Sequence, residues 1–263
     1  GYVGLVSGTC FADIGHQVYC VDKDASKINK LNSGISPIYE PGLDELIQKN
    51  YKAKRLTFTT DLKKAITASD IIFICVGTPN IKGSLKVDLS FVFKCTKEIL
   101  SITKKKKIIV TKSTVPVGTG DQIENIIKKK RKLFSVISNP EFLREGEAIR
   151  DFRYPDRIVI GSNNKNELKI MKKLYSPLIN KGAKFFSTSR RGAELIKYAA
   201  NAFLATKITF MNEIANLCEK SGINVEDIAL GIGSDTRIGS RFLRPGPAYG
   251  GSCFPKDTKG LVS

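Results

Sequence analysis

Gly1-Tyr2-Val3-Gly4-Leu5, an apolar helical run onward to Ile14, and then Val18-Tyr19-Cys20-Val21-Asp22 together decide how the rest of the chain is read. Glycines opening an apolar helix, a β-branched strand and an acid closing that strand fit the second half of a dinucleotide-binding βαβ unit. In such a unit the glycines let the backbone approach a pyrophosphate, and the helix N-terminus binds the anion. Asp22 stands 21 positions after Gly1, close to the spacing of about 20 at which an acid takes the ribose hydroxyls. An acid there repels a 2′-phosphate and favours NAD over NADP. The alternative is an ordinary turn with an Asp at the strand end. The first glycine and strand of a complete unit would lie upstream of Gly1, no initiator Met is present, and Ser263 falls just after a helix begins. The chain therefore reads as a piece truncated at both ends. His16, beside Gly15, reads as a solvent-exposed turn residue.

Outward from this stretch, short β-branched runs alternate with helical periodicity as far as about residue 190. Strands are predicted at Gln17 to Val21, Leu56 to Thr60, Ile71 to Val76, Lys107 to Thr111, Phe134 to Ser138, Arg157 to Gly161 and Lys184 to Ser187. Helices are predicted at Tyr2 to Ile14, Ala25 to Asn32, Leu43 to Lys49, Leu62 to Ala68, Leu89 to Thr103, Gly118 to Lys130 and Lys165 to Leu178. That pattern is an α/β fold with a doubly wound, Rossmann-like parallel sheet. From Arg191 to Lys220 the chain reads as one Ala-rich helix, uninterrupted by Pro and closed by Gly222. A helix of that length exceeds the ordinary globular range and suits a bridge between domains or subunits. The expected division is a Rossmann-like domain over 1–188 and a central helical, dimerising domain over 189–263.

Composition narrows the class. Of 263 residues 41% are hydrophobic and 26% charged, which matches globular usage and excludes disordered and fibrous classes. No apolar run approaches the roughly 20 residues a membrane-spanning helix needs. The six cysteines form no CxxC pair, and with a single His they offer no zinc spacing, so no metal is expected and a reducing cytoplasm is the natural setting. The net charge of +18 and the runs Lys104 to Lys107 and Lys128 to Lys132 invite a nucleic-acid reading. Both runs fall where helices end, a favourable place for lysines, and no nucleic-acid motif accompanies them. A solvated basic surface, or attraction to a polyanionic small substrate, is the preferred account.

Five later stretches carry chemistry. Val76-Gly77-Thr78-Pro79 and Ser113-Thr114-Val115-Pro116-Val117-Gly118 each follow a strand, where ligands meet an open parallel sheet; turn chemistry alone would also account for them. Asn139-Pro140-Glu141-Phe142-Leu143-Arg144-Glu145-Gly146 places two carboxylates four residues apart, on one face if the segment is helical. Lys197 and Asn201 are likewise four apart on the long helix, either a surface pair or donors aimed into a water-poor cleft. Gly250-Gly251-Ser252-Cys253-Phe254-Pro255-Lys256-Asp257 is the sharpest: Pro255 suits a helix start, and a thiol at a helix N-terminus beside Lys256 is favoured as thiolate. The bland reading is a turn cysteine with Asp257 as a first-turn acid.

The glycine loop, the Asn-Pro-Glu-Phe-Leu-Arg-Glu-Gly segment and Gly-Gly-Ser-Cys-Phe-Pro-Lys-Asp, in this order over essentially the whole chain, resemble the UDP-glucose/GDP-mannose dehydrogenase family. The Phe242-Leu243-Arg244-Pro245-Gly246-Pro247-Ala248-Tyr249 run resembles its UDP-glucose branch most. The resemblance implies two successive NAD-dependent oxidations that convert the C6 alcohol of UDP-glucose to a carboxylate. It assigns Cys253 as the nucleophile, Lys197 and Asn201 to the oxyanion, Asp257 and Thr114 to water placement, and Glu145 to base work in thioester hydrolysis. It puts Gly1, Tyr2, Val3, Asp22, Lys23, Thr78, Thr114 and Glu145 against NAD, and Glu141, Phe142, Leu143, Lys197, Asn201, Phe242, Leu243, Tyr249 and Gly250 against the sugar nucleotide. It further implies a homodimer through the long helix and a C-terminal UDP-binding domain beyond residue 263, while composition and motifs point to no nucleic-acid or membrane partner. GDP-mannose or UDP-N-acetyl-sugar oxidation, and a single-step 3-hydroxyacid-type dehydrogenase, are the alternatives.

Overall fold

The computed structural model describes residues 1–130, 132–249, 251 and 254–262. Its elements are α1 (Tyr2–Asp13), β1 (Val18–Val21), α2 (Ala25–Asn32), α3 (Leu43–Lys52), β2 (Leu56–Thr59), α4 (Leu62–Ala68), β3 (Ile71–Ile74), α5 (Ser90–Ile102), β4 (Lys107–Thr111), α6 (Thr119–Ile127), β5 (Phe134–Ser138), α7 (Ala148–Arg153), β6 (Arg157–Gly161), α8 (Lys165–Leu174), α9 (Ser176–Ile179), β7 (Lys184–Thr188), α10 (Arg190–Ser221), α11 (Val225–Gly233) and α12 (Phe254–Leu261). They fall into two compact units, residues 1–78 with 88–195 and residues 79–87 with 196–263.

In the first unit, β1 and β2 pair in parallel, and β3-β4-β5-β6-β7 form a five-stranded sheet. Successive strands β3, β4 and β5 are parallel neighbours joined by α5 and α6, the arrangement that alternating strand and helix patterns dictate. The strands are apolar on both faces because both are covered. Ile71, Phe73, Val110 and Ile137 pack into one core with α1, α2, α3, α7 and α8. Their neighbours Ile72, Ile74, Ile109 and Val136 pack into another with α4, α5 and α6.

The uniformly parallel sheet needs one correction: β6 runs antiparallel to β5 and pairs with it only at Ser138 and Gly161. The link between them carries just the six-residue α7, and the chain doubles back beside β5. Asn139 holds this seam, donating from Nδ2 to the Val159 carbonyl at 2.9 Å and accepting the Tyr175 hydroxyl at 2.6 Å. Two further helices differ from expectation. The helix read as Lys165 to Leu178 breaks into α8 and α9 at Tyr175, where Pro177 in the first turn of α9 lacks the N–H a continuous helix would use. The helix read to Lys130 stops being α-helical at Ile127 and tightens into a 3₁₀ turn over Lys128–Lys130. His16 is not a free turn residue either: its ring packs on Phe11, and Nε2 meets the Leu174 carbonyl at 2.9 Å.

The second unit is built on α10. Gly260 lets α12 lie close against it, since a Cβ there would sit 2.8 Å from Tyr198 Cε1. Lys207 secures the following loop by donating to the Ile238 carbonyl at 2.9 Å, and Asn224 caps α11 through the Glu226 N–H. Among the described residues no helix is long and apolar enough to cross a membrane, and no group of His, Cys, Asp or Glu could hold a metal ion.

Candidate active site

In the first unit the glycine loop does what its residues permit. Gly1 stands at the N-cap of α1, where no side chain bonds the first N–H groups and no acid occupies the first turn. Those donors and the positive end of the helix dipole suit a phosphate. Gly4 brings α1 against Cys75, just past the end of β3, a Cβ there falling 3.2 Å from Cys75 Cβ, and Gly8 brings it against β1, a Cβ falling 2.4 Å from Cys20 Sγ. Gly8 was not singled out from the sequence, because a helical glycine announces itself only through its neighbour.

Asp22 closes β1 and accepts the Asp24 N–H at 3.1 Å. Partial burial pushes its pKa up, and the Asp24 N–H it accepts pulls it down. It is ionised at neutral pH and ready to accept hydroxyl donors. The exposed Lys23 sits with Nζ 5.6 Å over the Phe91 ring. Uncapped donors, closely packed glycines and a terminal carboxylate fit a dinucleotide with free ribose hydroxyls.

Beyond β3 and β4, the two loops that follow the strands are tied together. Thr78 is buried and donates from Oγ1 to the Thr114 carbonyl at 2.7 Å, while Ser113 Oγ donates to the Val76 carbonyl at 2.6 Å. Thr114 is half-buried. The loop ends where α6 begins, and there Glu194 accepts the Gly118 N–H at 2.7 Å, the Gly120 N–H at 2.8 Å and the Ser138 hydroxyl at 3.0 Å. Burial raises the Glu194 pKa, and these three bonds only partly offset it.

The segment with the paired acids corrects the sequence reading. Residues 139–144 are not helical, so Glu141 and Glu145 do not share a helix face. Glu141 is buried and accepts the Leu143 N–H at 2.6 Å, whereas Glu145 is exposed at the turn before α7. The Phe142 ring lies 4.2 Å beneath the Arg157 guanidinium, and Leu143 packs on the core. Glu40, absent from the sequence reading, is 5% exposed and accepts the Tyr2 hydroxyl at 2.6 Å and the Gly146 and Ala148 N–H groups, each at 2.8 Å.

In the second unit Lys197 and Asn201 are buried, 4% and 7% exposed, so the surface-pair alternative falls away. Asn201 donates from Nδ2 to Asp257 Oδ2 at 2.6 Å, and Lys256 donates from Nζ to Asp257 Oδ1 at 2.5 Å. Asp257 is 1% exposed, and a carboxylate so enclosed is tolerated because both oxygens are charge-compensated or hydrogen-bonded. Phe254, opening α12, takes the Phe242 ring at 6.0 Å and the Tyr249 ring at 6.5 Å, both edge-on. Phe242 has φ of 65°, a left-handed conformation costly for an aromatic residue, and the buried Leu243 beside it helps hold that turn. Cys253 and Gly250 lie outside the described residues.

Four other thiols are shifted away from ionisation. Burial pushes Cys10 and Cys20 up to about 12 and Cys75 up to about 11, and raises Cys95 as well.

Comparison with known proteins agrees with this layout. Residues 1–179 match the NAD binding domain of the UDP-glucose/GDP-mannose dehydrogenase family, and residues 191–263 match that family's central domain. The chain is 57% identical to a UDP-glucose 6-dehydrogenase of Rhizobium meliloti and 53% identical to the UDP-glucose 6-dehydrogenase TuaD of Bacillus subtilis. Both alignments cover 100% of this chain, and 61% and 57% of the relatives. Among solved structures, a UDP-glucose dehydrogenase from Pyrobaculum islandicum superposes with a TM-score of 0.94 at 38% identity. It is covered to 61% of its length, and this chain to 100%. A ternary complex of GDP-mannose dehydrogenase from Pseudomonas aeruginosa gives 0.83, also at 38% identity, with 62% of it and 100% of this chain covered. The chain thus spans about three fifths of the length of the curated relatives it matches. It belongs to the UDP-glucose/GDP-mannose dehydrogenase family, with the NAD binding domain followed by the central domain.

Proposed function

We propose that this chain carries the cofactor-binding and central parts of an enzyme that oxidises UDP-glucose to UDP-glucuronate in two NAD-dependent steps. The observation that carries the reading is the buried Asn201–Asp257–Lys256 network, which ties α10 to α12. The relatives named UDP-glucose 6-dehydrogenase, at 47–57% identity, support the choice of sugar nucleotide. NAD, when bound, supplies the hydride acceptor.

The chain's own residues supply the rest. Asp22 takes the ribose hydroxyls and the α1 N-terminus the pyrophosphate. Removal of hydride and a proton from the C6 alcohol gives an aldehyde. The Cys253 thiolate adds to that carbonyl carbon, and the resulting thiohemiacetal retains a hydride to give up in the second oxidation. The thioester so formed is cleaved by water, which breaks the C–S bond, releases the carboxylate and returns the thiol. Lys197 and Asn201 donate to the oxyanion that develops at each tetrahedral stage. Asp257 and Thr114 place the water, and Glu145 accepts its proton. Glu141, Phe142, Leu143, Phe242, Leu243, Tyr249 and Gly250 hold the sugar nucleotide, and the unpaired thiols among the described residues suit a reducing cytoplasm.

Stoichiometry tests the reading. The complete protein is expected to form two NADH per UDP-glucose consumed and to leave GDP-mannose and UDP-N-acetyl sugars essentially untouched. One NADH per sugar would favour a single-step dehydrogenase, and turnover of GDP-mannose instead would overturn the choice of substrate.

The partner in this reading is a second copy. On α10, Ala199, Phe203, Thr206, Phe210, Glu213 and Leu217 recur at alternating steps of four and three and are all exposed, Phe203 at 66% and Leu217 at 59%. This is the seam geometry of paired helices. Light scattering of the complete protein is expected at twice the chain mass, with Phe210→Glu shifting it to the single-chain mass. A monomeric wild-type protein would remove this assignment.

A further inference from the structure

We propose that Glu40 is a positioning residue of the NAD binding domain, its buried carboxylate fixing the Glu145–Gly146 turn to the first turn of α1. The inference rests on the proposed function for its meaning, since that reading assigns both Tyr2 and Glu145 to cofactor contact. Its geometry is independent of it.

The two carboxylate oxygens collect donors from segments far apart in sequence. Oε2 accepts the Tyr2 hydroxyl at 2.6 Å and the Gly146 N–H at 2.8 Å; Oε1 accepts the Ala148 N–H at 2.8 Å. Had the role been only to cap α7, a local residue would serve, as Asp24, Asp61, Asn164 and Asn224 do for their helices. The residue at the N-cap of α7, Glu147, makes no such bond. The cap comes instead from a residue 108 positions earlier, and the same oxygen that accepts from the turn also accepts from α1.

The tie also sets the electrostatics at the first turn of α1. Burial, the Glu40 hydrogen bond and the nearby charges of Glu40 and Glu145 all keep the Tyr2 hydroxyl protonated far above the ordinary phenol range. It therefore stays a donor at any working pH. Glu145 is exposed and sits one residue before the tied Gly146, whose φ of 87° marks a tight turn. With Gly146 anchored, the turn presents Glu145 in one place relative to the α1 N-terminus; released, it samples several, and dinucleotide affinity falls.

Two readouts test this in the complete protein. In the NAD-free protein, Glu40→Gln is expected to speed hydrogen exchange at the Gly146 and Ala148 amides by about tenfold or more, because one amide oxygen replaces two charged acceptors. The same variant is expected to raise the NAD dissociation constant, measured by calorimetry, by about tenfold, with a smaller change in kcat at saturating NAD. Tyr2→Phe, which removes one hydroxyl and leaves both N–H bonds, is expected to raise the NAD dissociation constant by about threefold and to leave the two amides protected. Because Tyr2→Phe acts through the same carboxylate, the double variant should bind NAD no more weakly than Glu40→Gln alone. Unchanged exchange in Glu40→Gln overturns the tie. Faster exchange with wild-type NAD affinity reduces Glu40 to a helix cap and overturns the positioning role, as do additive losses in the double variant. If the wild-type protein binds NAD but oxidises no nucleotide sugar, the proposed function fails while the tie is still decided by these measurements.

Discussion

Replacement of Cys253 by Ala in the complete protein is expected to lower uronate formation by about a thousandfold or more, because the second oxidation then has no thiohemiacetal to act on. The aldehyde hydrate is a poor substitute, since nothing on the chain holds it covalently near the hydride acceptor. The first oxidation should survive in part, so a trap for aldehydes should capture the intermediate from the Ala variant and little or none from the wild type. Cys253→Ser is expected to slow the final hydrolysis, an ester being a less reactive acyl group than a thioester, and to show a covalent sugar-nucleotide mass increase on brief exposure to substrate and NAD. Uronate made at the wild-type rate by Cys253→Ala would falsify the covalent route.

Loss of the Asp257 carboxylate should be nearly as severe, and it should be felt in stability as well. Asp257→Ala removes the acceptor of both Asn201 Nδ2 and Lys256 Nζ inside a site where Asp257 is 1% exposed. Breaking one side of such a buried arrangement costs about 3 kcal/mol, visible as a lowered melting temperature. Asp257→Asn keeps the shape and one oxygen, so it should cost less stability, about 1 kcal/mol, yet still lower uronate formation by about a hundredfold. The two variants thus separate packing from chemistry. An Asp257→Asn protein with wild-type turnover would confine Asp257 to a structural role.

What the residues disclose on their own is uneven for physical reasons. Alternating apolar runs and helical periodicity are local signals, so β4, β5 and β6 match their expected bounds, and α10 was read to within a residue at either end. Asn224 followed by Glu226 and Asp227 is also a local signal, and it marks the start of α11 although the helix was not predicted. By contrast α7 is six residues long and takes its cap from Glu40, for which no neighbouring residue gives notice. Glu194 is the same kind of case, its partners being the N–H groups of Gly118 and Gly120 more than seventy positions away. Spacing misled at Glu141 and Glu145 because a four-residue interval pairs side chains only on a helix. Asn139 precedes a proline, which biases the chain away from helical angles there. At Lys197 and Asn201 spacing left two readings open, and burial removed the surface pair.

The raised thiol pKa values of Cys10, Cys20 and Cys75 have a practical consequence for chemical labelling. A thiol pushed up to about 12 is almost wholly protonated at neutral pH. Iodoacetamide and similar alkylating reagents attack the anion, so these three sulfurs are nearly silent towards them. A peptide map of brief alkylation therefore starts from a low background at these three positions, against which an activated sulfur stands out by rate.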